Sequence, residues 1–174
     1  MDQAQADVQH LLAALAERHM TVAVAEGDTG GLLLEWLTAV PGSSAVVLGG
    51  VVAYHDALKR QLLRLDAETL QTYGAVSAEA VASMARGVRR LVGADLGLAT
   101  TGIAGPGGAT PSKPVGLAFV AAVSADRELV REHRWTGERL GNRQSSAQAA
   151  LQLTLELLGD GSKKTPPNRT DVLN

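Results

Sequence analysis

Residues 99–114 constrain the fold of this chain more than any other stretch: Ala-Thr-Thr-Gly-Ile-Ala-Gly-Pro-Gly-Gly-Ala-Thr-Pro-Ser-Lys-Pro. Four glycines and three prolines in that span exclude helix or sheet there. An apolar strand containing Leu96, Leu98 and Ala99 leads into it, and another over 115–123 leaves it. Long glycine-rich loops in compact domains are usually functional. At the C-terminal end of a buried strand, such a loop lies where open α/β sheets bind small polar or anionic ligands. Thr100, Thr101, Thr110 and Ser112 offer hydroxyls, and Lys113 supplies the only charge.

The remaining chain alternates between helical and strand periods. Residues 2–18 place Val8, Leu11, Leu12 and Leu15 at helical spacing. Residues 21–25, Thr-Val-Ala-Val-Ala, are short and apolar and predict a buried strand. Glu26-Gly27-Asp28-Thr29-Gly30-Gly31 then predicts a tight turn into a helix carrying Leu32 to Leu34, Trp36 and Leu37. Backbone N–H groups of Thr29, Gly30 and Gly31 at a helix start suit an anion or a developing negative charge. Asp28 or Thr29 suits either the cap of that helix or a ligand contact.

Pro41-Gly42-Ser43-Ser44 predicts a turn, and residues 45–54 a second strand. Gly49-Gly50 within it marks a bulge or a close approach of another backbone. Helix over 55–63 puts Lys59 one turn beyond His55, either exposed or beside the strand end. A short helix follows over 66–70, and Ser77 caps a longer one over 78–92 with Val81, Met84, Ala85, Val88 and Leu91 as its apolar stripe. Residues 95–101 and 115–124 are the third and fourth strands, and 128–135 pairs with the fourth as a hairpin. Residues 137–142 read as a polar connection before a helix over 143–158, with Ala147, Ala150, Leu151, Leu155 and Leu158 facing inward. The expected architecture is a three-layer α/β/α sandwich on about five strands, mostly parallel with one antiparallel member. Residues 1–158 form a single domain in this reading, and the polar stretch 159–174 is expected to be disordered.

Composition narrows the functional classes. The 174 residues are 45% hydrophobic and only 3% aromatic, so Val, Leu and Ala must build the core. Formal net charge is −2 with no basic block, which argues against nucleic acid and anionic membranes as partners. There is no cysteine, and the four histidines lack ligand spacing, so no metal site and no other cofactor is expected. The N-terminus reads without a signal peptide, and no apolar run approaches the ~20 residues of a membrane span. A cytoplasmic protein is the expectation.

The turns at 26–31, 54–59 and 100–114 can converge at one rim of the sheet, and there the sequence resembles the C-terminal domain of the competence/damage-inducible CinA family. The matching pieces include Ala25-Glu26-x-x-Thr29-Gly30-Gly31, Val40-Pro41-Gly42-Ser43-Ser44, Gly49-Gly50-Val51-Val52-x-Tyr54 and Lys59. Gly74-Ala75-Val76-Ser77, the run from Thr101 through Gly102, Gly105 and Gly107 to Gly108, and Lys113-Pro114-Val115-Gly116 also match. Arg139 and Arg143 match family arginines near the last helix. Stand-alone members are nicotinamide-mononucleotide deamidases, so the resemblance implies an amidohydrolase of pyridine-nucleotide salvage, forming homo-oligomers. It implies Lys59 as base, assisted by Tyr54. It implies ligand contacts from Glu26, Thr29, Gly30, Gly31, Thr101, Gly102, Gly105, Gly107, Gly108, Lys113 and Arg143. The N-terminal molybdopterin-binding-like domain of full-length relatives is not expected in this chain.

The first turn departs from the family pattern Glu-Ser-Cys-Thr-Gly-Gly. Gly27 stands at the position of the nucleophilic serine, and Asp28 at that of the cysteine. Acyl transfer through a covalent intermediate needs an activated hydroxyl or thiol, and Gly27 has no side chain. Three readings follow: a ligand-binding homologue with weak or no turnover, a hydrolase using Asp28-activated water or a threonine, and an assembly domain with a vestigial pocket.

Overall fold

A computed structural model describes residues 3–159. The expected tail lies, apart from Gly159, outside the described residues. The chain runs α1 (Gln3–Glu17), β1 (Val22–Glu26), α2 (Leu32–Thr38), a 3-10 turn (Ser43–Ala45), β2 (Val47–Val52), α3 (Asp56–Leu63) and α4 (Ala67–Thr72). It continues through α5 (Ala78–Val92), β3 (Leu96–Gly102), β4 (Leu117–Val123), β5 (Glu128–Arg134) and α6 (Arg139–Leu158). The five strands form one sheet in the order β2-β1-β3-β4-β5. β2, β1 and β3 are parallel, and β4 pairs antiparallel with both β3 and β5. β4 is therefore the one strand running against the other four, as expected.

Two apolar layers cover the sheet. On one face, Val24, Leu98 and Val120 pack with Leu11 and Leu15 of α1, Leu33 and Leu37 of α2, and Leu151 of α6. On the other, Ala25, Ala99 and Ala121 pack with Leu63 of α3 and Val81, Met84 and Val88 of α5. Small residues on the sheet let that second layer approach closely: a Cβ on Gly97 would lie 2.1 Å from the Ala85 carbonyl oxygen. Both readings of Gly49-Gly50 hold. The β1–β2 register slips between Val22 and Ala23, and a Cβ on Gly50 would lie 2.5 Å from the Val24 carbonyl oxygen.

Three expectations need correction. Thr100 and Thr101 lie in β3 as the 95–101 strand requires, but β3 also takes in Gly102, so the 99–114 stretch opens as sheet; these residues pair with Val120, Phe119 and Ala118 of β4. Glycine there does not end the strand while the ladder satisfies its backbone. α6 begins at Arg139, so much of the polar 137–142 connection is its first turn. Its amide-bearing Asn142 is buried, accepting a hydrogen bond from Gly137 N and donating to the Ala104 carbonyl. Leu91 is exposed, since the stripe of α5 ends where the helix passes the edge of the packed layer.

At the far edge, the His133 ring stacks on Trp135 with centroids 4.5 Å apart, and Trp135 Nε1 donates to Ser146 Oγ. His133 Nε2 is buried without a partner. Burial first, and the Arg131 charge second, hold its imidazole down at about 4. The unfolded chain takes up this proton near pH 6.5 and the folded chain only near 4, so stability falls as pH drops across that window. The ring keeps some solvent exposure, which lowers the linked stability to ~1–2 kcal/mol. Melting temperature measured against pH should therefore fall less steeply between pH 6.5 and 4 in His133→Gln than in the parent. Parallel curves would remove His133 as the source.

Candidate functional site

β1, β2 and β3 end side by side, and their following turns meet at the carboxyl edge of the sheet, where open α/β sheets place ligands. Gly27 and Asp28 follow β1, Tyr54 follows β2, Lys59 projects from α3, and Thr101 and Gly102 close β3; all line one small cleft with a volume of about 100 Å³. Ala75 and Val76, just before α5, form another wall. Arg139, from the first turn of α6, completes the rim.

The β1–α2 turn is fastened from three directions. Glu26 is 1% exposed, and its carboxylate accepts from Gly31 N, Leu33 N and Leu34 N at 3.0, 3.0 and 2.9 Å. This carboxylate satisfies the free donors of the first turn of α2, the role expected of Asp28 or Thr29. Neither of those residues caps the helix; its N-cap is Gly31, in the left-handed region at φ 100°. Thr29 Oγ1 instead shares a 2.8 Å hydrogen bond with Thr100 Oγ1 across to β3. Arg143 Nε donates to the carbonyls of Asp28 and Thr29, both at 3.2 Å, and its Nη2 donates to Thr29 at 2.5 Å. A Cβ on Gly30 would lie 3.4 Å from that Nη2, so a small residue lets the arginine lie flat on the turn.

Lys59 is buried, 4% exposed, not solvated as helical lysines usually are. Its Nζ donates to Asp56 Oδ1 at 2.7 Å and to the Tyr54 carbonyl at 3.4 Å. The Tyr54 hydroxyl accepts from Arg139 Nη2 at 3.0 Å, and Arg139 Nη1 donates to the Gly105 carbonyl at 2.7 Å. Arg139 thus clasps the glycine loop to the β2 end. Thr101 Oγ1 donates to the Ala75 carbonyl at 2.7 Å.

Asp28 is buried at 8% exposure, and its Oδ1 has neither solvent contact nor a hydrogen-bond partner. Burial pushes its carboxyl above the ordinary carboxylate range, with the Glu26 charge adding, while the nearby Ser146 and Thr100 hydroxyls oppose the rise. Its other oxygen occupies the room left by Gly102, where a Cβ would lie 2.8 Å away. Gly27 is not in the left-handed region, and a Cβ there would lie 3.0 Å from the Thr100 carbonyl oxygen. The φ at 27 does not demand glycine, and a side chain there requires the Thr100 carbonyl, which accepts the Gly27 N–H, to give by a few tenths of an ångström.

Of the residues singled out from sequence, the structure gathers Gly27, Asp28, Tyr54, Lys59, Thr101 and Gly102 around the cleft. Glu26, Thr29, Gly30, Gly31 and Arg143 sit behind it as the fastenings of the first turn. Gly105, Gly107 and Gly108 lie outside the lining, and Lys113 Nζ donates to the carbonyls of Tyr73 and Val76, holding the wall before α5. Arg139 was read as part of a polar connection; the signal that places it is its four-residue spacing from Arg143, which puts both on one face of one helix. Among the described residues no cluster of His, Asp or Glu is placed to hold a metal ion, and no helix is long and apolar enough to cross a membrane.

Fold and site together define an α/β/α domain with a compact polar cleft built from the turns after three parallel strands. The chain belongs to the CinA family: the family model described as the CinA C-terminal domain matches residues 4–158. It is 46% identical over 144 residues to a putative competence-damage inducible protein of Desulforudis audaxviator (strain MP104C), covering 83% of this chain and 35% of that protein. A protein of the same description from Moorella thermoacetica (strain ATCC 39073 / JCM 9320) is 48% identical over 141 residues, 81% of this chain and 34% of its own length. The chain spans about a third of the length of these curated relatives. The crystal structure of the competence/damage inducible protein CihA from Agrobacterium tumefaciens superposes with a TM-score of 0.88 at 35% identity, over 91% of this chain and 97% of that one.

The Glu26 fastening makes a direct prediction. Glu26→Ala removes an acceptor shared by three backbone donors of α2, and should destabilise the fold by ~3 kcal/mol in denaturant titration. A loss below ~1 kcal/mol would mean that water replaces the carboxylate at no cost.

Proposed function

We propose that this domain binds a nicotinamide nucleotide, or a closely related small amide, with weak or no hydrolytic turnover. The observation that carries the reading is the absence of any side chain at Gly27, at a cleft whose other walls are in place. Acyl transfer there lacks the attacking atom. The remaining hydroxyls do not replace it. Thr101 gives its hydrogen to the Ala75 carbonyl, Tyr54 is engaged by Arg139, and Thr29 faces Thr100. Lys59 and Arg139 supply positive charge for the anionic part of a nucleotide.

A second reading is favoured by one observation, the carboxyl residue Asp28 next to Gly27 in the cleft lining. A carboxyl with a raised pKa is suited to act as general base on a water, and direct hydrolysis of the amide would follow. An assembly role with an empty cleft is the outcome left if neither ligand binding nor ammonia release is found.

Calorimetry with nicotinamide mononucleotide should show binding to the parent, weakened ~10-fold or more in Lys59→Ala, the loss typical of a charged contact. Ammonia release by the parent should be marginal. Gly27→Ser should raise it, after a few tenths of an ångström of adjustment at Thr100. No binding across a panel of pyridine nucleotides overturns the proposal. Brisk release by the parent that vanishes in Asp28→Asn replaces it with the water-activated reading.

A further inference from the structure

We infer that the groove between α3 and α4 is a second binding site, which takes a phosphate group against Arg60 and Arg64. The inference is independent of the reading given to the cleft.

The groove has a volume of about 460 Å³, against about 100 Å³ for the cleft. Small-molecule sites occupy ~300–1,000 Å³. Arg60, Gln61 and Arg64 form the wall along α3, and Asp66 and Ala67 form the wall where α4 begins. Arg60 and Gln61 share one side of α3, and Arg64, its C-cap, carries that side onward. Lys59 and Leu63 are buried on a different side of the same helix. The groove and the cleft therefore do not share a face of α3.

Arg60 and Arg64 are exposed, and neither has a hydrogen bond or ion pair among the described residues. Apart from Arg90, every other arginine and lysine among the described residues has an acceptor. Arg90 belongs to the same region. A Cβ on Gly87 would lie 2.1 Å from the Leu63 carbonyl oxygen, so α5 touches the end of α3 there, and Arg90 follows within one turn. The three unengaged cations thus gather around the C-terminal half of α3. Arg64 also sits in the left-handed region at φ 58°, a cap conformation that glycine adopts without strain. A cation beside the last carbonyls of a helix is favourable in itself; that role needs no second free guanidinium over the same groove.

Asp66 does not neutralise the pair. Its carboxylate accepts from Thr69 N at 2.6 Å and from Thr69 Oγ1 at 2.8 Å, capping α4. Those bonds, the backbone one first, hold its carboxyl below the ordinary range. It stays anionic on the opposite wall and turns an anion toward α3. Two guanidinium groups one turn apart offer N–H donors to several oxygens of one tetrahedral anion, which suits phosphate better than a planar carboxylate. Gln61 adds an amide for hydroxyls beside the phosphate. The room left around a bare ion favours an organic phosphate as its source.

The test titrates the full chain with inorganic phosphate, ribose 5-phosphate and ribose at low ionic strength, reading affinity and backbone amide shifts. Both phosphates should move the amides of Arg60, Gln61, Arg64 and Ala67, ribose 5-phosphate binding ~3-fold or more the tighter, and ribose should move none. Arg64→Gly removes the guanidinium and frees the left-handed backbone, so it should weaken binding ~10-fold or more while the melting temperature holds. Asp66→Asn keeps a capping side chain and removes the opposing charge, so it should tighten binding ~3-fold. Equal affinity for the two phosphates supports the site with free phosphate as its source. No shift in the groove with either phosphate, shifts confined to Gly27 and Gly102, the same shifts with ribose, or undiminished affinity in Arg64→Gly would each overturn the inference.

Discussion

The carboxylate of Glu26, buried at the end of β1, meets the backbone donors of Gly31, Leu33 and Leu34 where α2 begins. A charge removed from water has to find fixed partners, and a helix start offers several with the right polarity. Because strand and helix are joined by only five residues, this contact sets how tightly the chain must turn. Thr29 and Arg143 then tie the same turn to β3 and α6. What remains facing the cleft is Gly27 and Asp28. The fastening also removes one option for ligand binding, since the Gly31 N–H that would greet an anion is already bonded inside the protein.

The same logic assigns a role to the glycine-rich loop. Asn142 and Arg139 of α6 grip the carbonyls of Ala104 and Gly105, while Lys113 grips the chain at Tyr73 and Val76. The loop therefore works as a bracket between the first turn of α6 and the segment before α5. Its glycines allow backbone carbonyls to be presented where a side chain would intervene: a Cβ on Gly105 would lie 2.6 Å from Val115 Cγ1. The cleft gains its walls from this bracket, although most of the loop does not line it.

The strand order of events, the three turns and their meeting at one edge were legible in the sequence because they depend on local period and on the rule that places loops at strand ends. Lys59 and Tyr54 could be placed near the cleft for the same reason. The partners of Glu26 were not legible. Capping residues are sought immediately before a helix, whereas Glu26 acts from five positions before Gly31, through a turn whose shape only the fold defines. The helical placement of Arg139 was hidden because the chain before it is rich in polar and glycine residues, a composition shared by loops and helix starts. Lys113 looked ligand-facing because its two carbonyl partners lie some forty residues away along the chain. Long-range hydrogen bonds of that kind leave no periodic trace.

Gly27 and Asp28 are best understood together. At this turn the chain carries no side chain at 27 and then a carboxyl at 28. The structure accommodates the pair without strain at Gly27, and the carboxyl fits because Gly102 leaves room for it. Burial raises the Asp28 carboxyl above the ordinary carboxylate range, and the neighbouring Glu26 charge adds to the rise. The nearby Ser146 and Thr100 hydroxyls offset part of that rise.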